Sequence, residues 1–301
     1  MTRTSASLGD FAAIVVCTLA WGTTWYAITL QFGLVEPIVS VVYRFVLASV
    51  LLLAWARAQR APLQLTRPQH LAAFGMGCAT FAIQYPLVYA AETQLASAVV
   101  AVLFASMSFI NLIAFRLAFG QRAPLLSWAA AGMGIAGVAL LSWGELATSQ
   151  MDARAVTGLG LTLCAIVVAS LGNVFARRAE TAGAPVIAST AWAMLYGSAM
   201  LALFATARGS VWAFDMRPAY VLSLLYLSLV GSVIAFLLYF GLARRRGFAL
   251  ASYISALTPP VAMLVSTLLE NKRWTLFALS GLAVIVAGQW LLLRRSRGNR
   301  S

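Results

Sequence analysis

The sequence holds one histidine and three cysteines, and only eight of its 301 residues are acidic. Lysine occurs once, at Lys272. Each scarcity removes a class of protein. His70 stands alone in a polar stretch, so no imidazole is available beside a nucleophile. No His/Cys/Asp cluster has metal-ligand spacing, and no GxxxxGK[ST] loop offers to cradle a phosphate. The sequence therefore carries no enzyme signature and points to no cofactor and no metal. Without a lysine in an apolar run, a Schiff-base pump is excluded too. Cys17, Cys78 and Cys164 all fall in apolar segments, where they serve packing and cannot staple extracellular loops. The acids Asp10, Glu36, Glu92, Glu145, Asp152, Glu180, Asp215 and Glu270 all lie at segment ends or in loops. Ion-coupled transporters generally carry ionisable groups in mid-membrane. Their absence from the sequence pattern points to a substrate-gradient facilitator or an exchanger.

What is abundant is apolar. Hydrophobic residues make up 62% of the chain, charged ones 10%, and the mean hydropathy is +0.88. That composition is a membrane protein's. Apolar segments long enough to cross a bilayer are expected at 10–30, 36–56, 69–89, 95–117, 124–144, 157–177, 185–206, 218–242, 248–268 and 274–294. They lack the alternation of barrel strands, so the expected fold is all-α and polytopic, with ten transmembrane helices. With both termini in the cytoplasm, only Arg154, Arg208, Arg217, Lys272 and Arg273 fall outside. All the other basic residues except Arg44 fall inside, as the positive-inside rule demands. The net charge of +13 is then a matter of membrane topology, and no nucleic-acid partner is implied. Trp143, Trp212, Trp274 and Trp290 lie near segment ends, where interface belts form.

The polar break from Glu145 to Val156 divides five segments from five. Residues 37–49, PIVSVVYRFVLAS, overlay on 185–197, PVIASTAWAMLYG, with Pro37 on Pro185 and Arg44 on Trp192. Residues 96–122 overlay on 250–273 in the same order. Two repeats follow, residues 1–148 and 153–301. An odd number of segments in each gives the halves inverted topology, an architecture tied to transporters.

Several stretches resemble the EamA-like ten-helix exporters of the drug/metabolite transporter superfamily. They are AWGTTWYAI (20–28), YRFVLASVLLL (43–53), ASAVVAVLFASMSFINLIAFRLAFGQR (96–122), GMGIAGVALLSWG (132–144), LASYISALTPPVAMLVSTLLENKRWT (250–275) and GLAVIVAGQWLL (281–292). The chain departs from the family pattern at Ser106-Met107-Ser108, where a proline is usual, at Gly120-Gln121, where a Gly-Glu is usual, and at Asn271-Lys272. Size and aromatic content look closest to the YddG-type exporters of aromatic and other neutral amino acids. The resemblance implies a bacterial inner-membrane exporter working by alternating access; the alternative readings are a carrier of other metabolites such as nucleotide sugars or drugs, and a non-transporting membrane scaffold. It also implies a cavity lined by helices 1, 3, 4, 6, 8 and 9, with 5 and 10 packed behind. The partners implied are a small-molecule substrate and the bilayer, with the oligomeric state left open and a monomer compatible with the pattern.

Candidate cavity residues are those that can hold an apolar side chain and orient a zwitterion. They are Trp21, Thr24 and Trp25 on the first segment and Gln84, Tyr85 and Tyr89 on the third. Ser106 on the fourth, Asn173 on the sixth, Tyr239 on the eighth, and Tyr253 and Ser255 on the ninth complete the set. Pro86 and Pro259-Pro260 remove backbone donors and are expected to kink their helices as hinges. Arg44 sits roughly 12 Å into the second segment at 1.5 Å per residue. A cation at that depth must face protein or water, and a packing or gate role is expected ahead of substrate contact, with snorkelling last.

Overall fold

The structure is a computed structural model that describes residues 8–121, 125–148, 153–251, 253–271 and 273–298. It is all-helical among the described residues. The helices are α1 (Leu8–Thr29), α2 (Pro37–Ala58), α3 (Arg67–Glu92), α4 (Ser97–Phe119) and α5 (Leu125–Thr148). After them come α6 (Ala153–Thr181), α7 (Val186–Ala207), α8 (Pro218–Arg246), α9 (Tyr253–Leu269) and α10 (Leu276–Gly298). One helical turn, Phe248–Ala251, precedes α9. Seven of them, α1 to α4 and α6 to α8, are long and apolar enough to cross a membrane, and α9 and α10 contain the shorter apolar stretches Leu257–Leu269 and Leu276–Gly288.

Local signals explain the helix limits. Pro37, Pro68 and Pro218 stand in first turns, where a missing N–H costs nothing. The Thr66 N–H donates to Gln69 Oε1 at 3.0 Å, as a capping box does at a helix start. Gly120 takes φ 65° beyond the end of α4 and returns its N–H to Arg116 O.

Packing depends on small residues, because lipid offers no hydrophobic drive between helices. α5 and α10 lie against each other at Gly137, whose side chain would collide with Gly281 O and Ile285, and at Gly288, which abuts Ala130 O. α3 and α7 meet as closely: a Cβ on Gly77 would stand 2.4 Å from Ala193 O, and one on Gly197 would stand 2.5 Å from Gly77 O.

Three irregularities interrupt the rods. α3 widens into π-helical turns over Gly77–Gln84, and α8 does so over Leu229–Ile234. α4 breaks at Ala105–Ser106, where the Ser106 hydroxyl donates to Leu103 O at 2.7 Å. In α3 the irregularity lies in the wide turns ahead of Pro86, and the proline occupies the first turn of the helix that resumes after them. A wide turn accommodates the ring and the donor it lacks. α9 stays helical through Pro259 and Pro260.

The two ends of the bundle differ in charge. At one, Asp10 at the start of α1 pairs with Arg245 and Arg246 at the end of α8. Arg57, Arg60, Arg67, Arg177, Arg178 and Arg244 belong to helix ends on this same side. At the other, Glu36 at the start of α2 accepts from Arg208 Nη2 at 3.0 Å, from Ser210 Oγ at 2.9 Å and from the Val211 N–H at 3.3 Å. Those bonds hold the Glu36 carboxyl below its ordinary value, the Ser210 hydroxyl foremost. Arg217 likewise holds Asp215 down, chiefly through its side-chain hydrogen bond.

Candidate substrate cavity

Between these ends lies a cavity of about 90 Å³, room for a handful of waters. Its wall comes from α1, α3, α4, α6, α8 and α9. α1 contributes Trp21, Thr24, Trp25 and Ile28, linked by the three- and four-residue steps that share a helix face. The Trp21 Nε1–H donates to Gly231 O, a carbonyl in the wide turn of α8, at 3.1 Å. Its ring meets Phe236 edge-on at 5.4 Å and Tyr239 at 5.2 Å. Trp25 lies 5.2 Å from Phe104 of α4, and its indole N–H is buried without a partner. That N–H is a donor available to whatever enters.

α3 supplies Thr80, Gln84, Tyr85 and Val88, the first two from its wide turns. Asn173 of α6 donates through Nδ2 to Asn111 Oδ1 of α4 at 3.2 Å. α8 adds Phe236, Tyr239 and Phe240, and α9 adds Ser255 and Thr258. No charged side chain lines the cavity among the described residues. A wider groove of about 640 Å³ runs along α2, α3 and α7 beside Glu36 and Arg208. Its walls are mostly apolar, and the polar groups converge on the central cavity instead.

Of the residues singled out from sequence, Trp21, Thr24, Trp25, Gln84, Tyr85, Asn173, Tyr239 and Ser255 stand together on this wall. Tyr89 does not: it is fully buried one turn beyond Tyr85, and its hydroxyl donates to Gln31 Oε1 at 2.8 Å. Ser106 is buried at the break in α4, between the lining residues Phe104 and Met107. The Tyr253 side chain lies outside the described residues. Sequence reasoning passed over Asn111, although a lone amide in SFINLIAF is as conspicuous as the arginine of α2. It also passed over Thr80, Thr258, Phe236 and Phe240, which carry no local signal beyond an apolar helix.

Arg44 is 1% exposed. Its Nε–H donates to Ser232 Oγ of α8 at 3.0 Å, and the guanidinium lies 4.6 Å above the Tyr85 ring and 5.1 Å above Phe45. It therefore stands behind Tyr85 as seen from the cavity. Ser232 in turn donates to Leu227 O, a carbonyl five residues back that the wide turn leaves free. So the arginine braces an irregular helix, and it does not reach toward a membrane surface.

Helices that meet through glycines, a polar-aromatic cavity at their centre and wide turns beside it define a polytopic membrane transporter. The EamA-like transporter family model matches residues 7–143 and again residues 156–294, and the chain belongs to that family. It is 29% identical over 283 residues to the "Uncharacterized inner membrane transporter YedA" of Escherichia coli (strain K12), covering 92% of this chain and 88% of YedA. Protein PagO of Salmonella typhimurium (strain LT2) is 25% identical over 253 residues, covering 83% of this chain and 81% of PagO. One solved crystal structure of a protein superposes with a TM-score of 0.73 over 100% of both chains, at 20% identity, a likeness of fold alone.

Proposed function

We propose that the chain exports neutral amino acids, aromatic ones included, across a bacterial inner membrane by alternating access, as a substrate-gradient facilitator or exchanger. The observation that carries this reading is the cavity wall: aromatic faces, amides and hydroxyls, with the one nearby cation covered by Tyr85. Aromatic rings hold an apolar side chain, while Trp25 Nε1, Gln84 and Asn173 orient a polar head. A phosphorylated metabolite would need cations on the wall. Trp21, Thr24, Trp25, Gln84, Tyr85, Asn173, Tyr239 and Ser255 are the contacts proposed, with Tyr89, Ser106 and Tyr253 behind or beside them and Arg44, Pro86, Pro259 and Pro260 as gate or brace.

The halves are residues 1–148 and 153–301, each of five spans and inverted relative to the other. The double family match and the wide turn in the third helix of each matched stretch support this division. The arginine-rich end is cytoplasmic and holds both termini, in accord with the positive-inside rule and with a relative described as an inner-membrane transporter.

Counterflow in proteoliposomes tests the substrate. Vesicles preloaded with phenylalanine should draw in trace labelled phenylalanine, whereas vesicles preloaded with a nucleotide sugar should not. No counterflow with any amino acid would overturn the assignment.

A further inference from the structure

A second, smaller cavity of about 20 Å³, room for one water, lies toward the arginine-rich end. Its wall continues that of the central cavity helix by helix. On α6 the lining runs from Ala169 and Asn173 in the central cavity to Ala176 and Glu180 in the small one. On α3 it runs from Thr80 to Met76, and on α8 from Phe236 through Phe240 to Arg244. Every step is three or four residues, the spacing that keeps to one helix face, so the two cavities lie along a single path between α3, α6 and α8. Among the described residues Phe240 alone lines both. Its buried ring stacks on Phe236 at 5.6 Å and meets Tyr239 edge-on at 5.2 Å.

The mouth of this path is polar. Arg244 donates through Nη1 to Ala184 O at 2.8 Å, and Glu180 accepts from Arg177 Nη1 at 2.6 Å, so each engages one atom of a group that can serve several partners. From α7, Thr190 lines the same small cavity, and its hydroxyl is buried without a partner. A buried hydroxyl left unpaired is costly, and a polar solute or a water in the cavity relieves that cost. We propose that solute moves between the arginine-rich end and the central cavity along this path, and that the Phe240 ring is the gate that interrupts it. Thr190, Glu180 and Arg244 receive the polar head of the solute on the mouth side of the ring. Phe240 stands on the part of α8 that resumes after the wide turn at Leu229–Ile234, so a shift at that turn carries the ring with it. This gate presupposes the transport reading above but not the identity of the solute. In the orientation proposed there, it opens to the cytoplasm.

The test is cysteine labelling of the full chain in inside-out membrane vesicles, with Cys17, Cys78 and Cys164 replaced by alanine. The probe is a charged, membrane-impermeant methanethiosulfonate, and the reporters are Thr80→Cys beyond the ring and Ser189→Cys on its mouth side. Phe240→Ala should raise the labelling rate of Thr80→Cys about tenfold or more, because a site reached only through a minor open state reacts in proportion to a population of roughly 10% or less. Ser189→Cys should react at the same rate with or without the ring, and its reaction shows that the probe meets this end. If Phe240→Ala does not yield a monodisperse protein, Phe240→Leu takes its place with the same order expected. No rise at Thr80→Cys overturns the gate, and so does an equal rise at both reporters, which would mean a loosened bundle. Phenylalanine counterflow by the unsubstituted chain separates the failures: counterflow without the selective rise removes only the gate, and the selective rise without counterflow removes only the amino-acid assignment.

Discussion

The wide turns of α3 and α8 are alike in backbone and held in opposite ways. Each leaves carbonyls that a regular helix would satisfy internally. Around Gly77 of α3 the neighbour is bare backbone, with α7 pressed in at Ala193 O and Gly197. Around Gly231 of α8 the neighbours are donors on long side chains, Trp21 of α1 at the Gly231 carbonyl and Arg44 of α2 at Ser232. Direct backbone contact tolerates no inserted atom and fixes α3 to α7 as one block. Side-chain hydrogen bonds can be broken and remade, so α8 meets α1 and α2 through a joint that can part. Under the alternating-access reading proposed above, the α8 joint is therefore the expected seam and the α3–α7 contact the expected rigid block.

The largest effect should come from the bare contact. Gly197→Leu must push a branched side chain into Gly77 O and Phe81, with no flexible neighbour to give way. The expected outcome is loss of monodisperse protein on gel filtration. A folded Gly197→Leu with ordinary thermal stability would show that α3 and α7 do not need this approach, and the comparison would fail. At the polar joint the losses should be graded. Arg44→Ala gives up a charge-assisted hydrogen bond and a stack on Tyr85, about 2 to 4 kcal/mol, read from the unfolding temperature in detergent. Ser232→Ala removes one link of the same chain and should cost about 1 to 3 kcal/mol. Trp21→Phe, which keeps a ring against Phe236 and loses only the bond to Gly231 O, should cost about 1 kcal/mol. A reversed order, with Trp21→Phe worse than Arg44→Ala, would move the weight of the joint from α2 to α1.

How much of this was legible beforehand depends on which force writes it. Burial in lipid writes itself into hydropathy, so helix positions were readable to within a few residues. A lone charge in an apolar run announces a buried partner, which made Arg44 conspicuous, but its partner Ser232 is one serine among many. Wide turns leave little trace. That of α3 is followed by Pro86, and that of α8 carries no proline, only Gly231 and Ser232 in an apolar run. Glu92 shows the same limit from the other side. Its position at a helix end marks it as a solvated carboxylate, and only the folded chain, in which it is buried, shows otherwise.

The smallest effect should lie at a third kind of contact, the open ion pair. Glu36 joins the start of α2 to the end of α7 as Arg44 joins α2 to α8, but in water. Its carboxyl sits below the ordinary value of 4.5 because the folded chain supplies Ser210, Val211 and Arg208. A group held low when folded contributes stability above its unfolded value, and that stability is lost as pH falls through the folded one. The thermal midpoint should therefore decline below about pH 4.5, and Glu36→Gln should flatten part of that decline while changing little at neutral pH. Asp215, held down by Arg217 at the same end, should supply the remainder. If Glu36→Gln instead lowers stability as much as Ser232→Ala at neutral pH, an exposed contact is as strong as a buried one here. The contrast between the dry joint of α8 and the wet one of α7 would then have to be withdrawn.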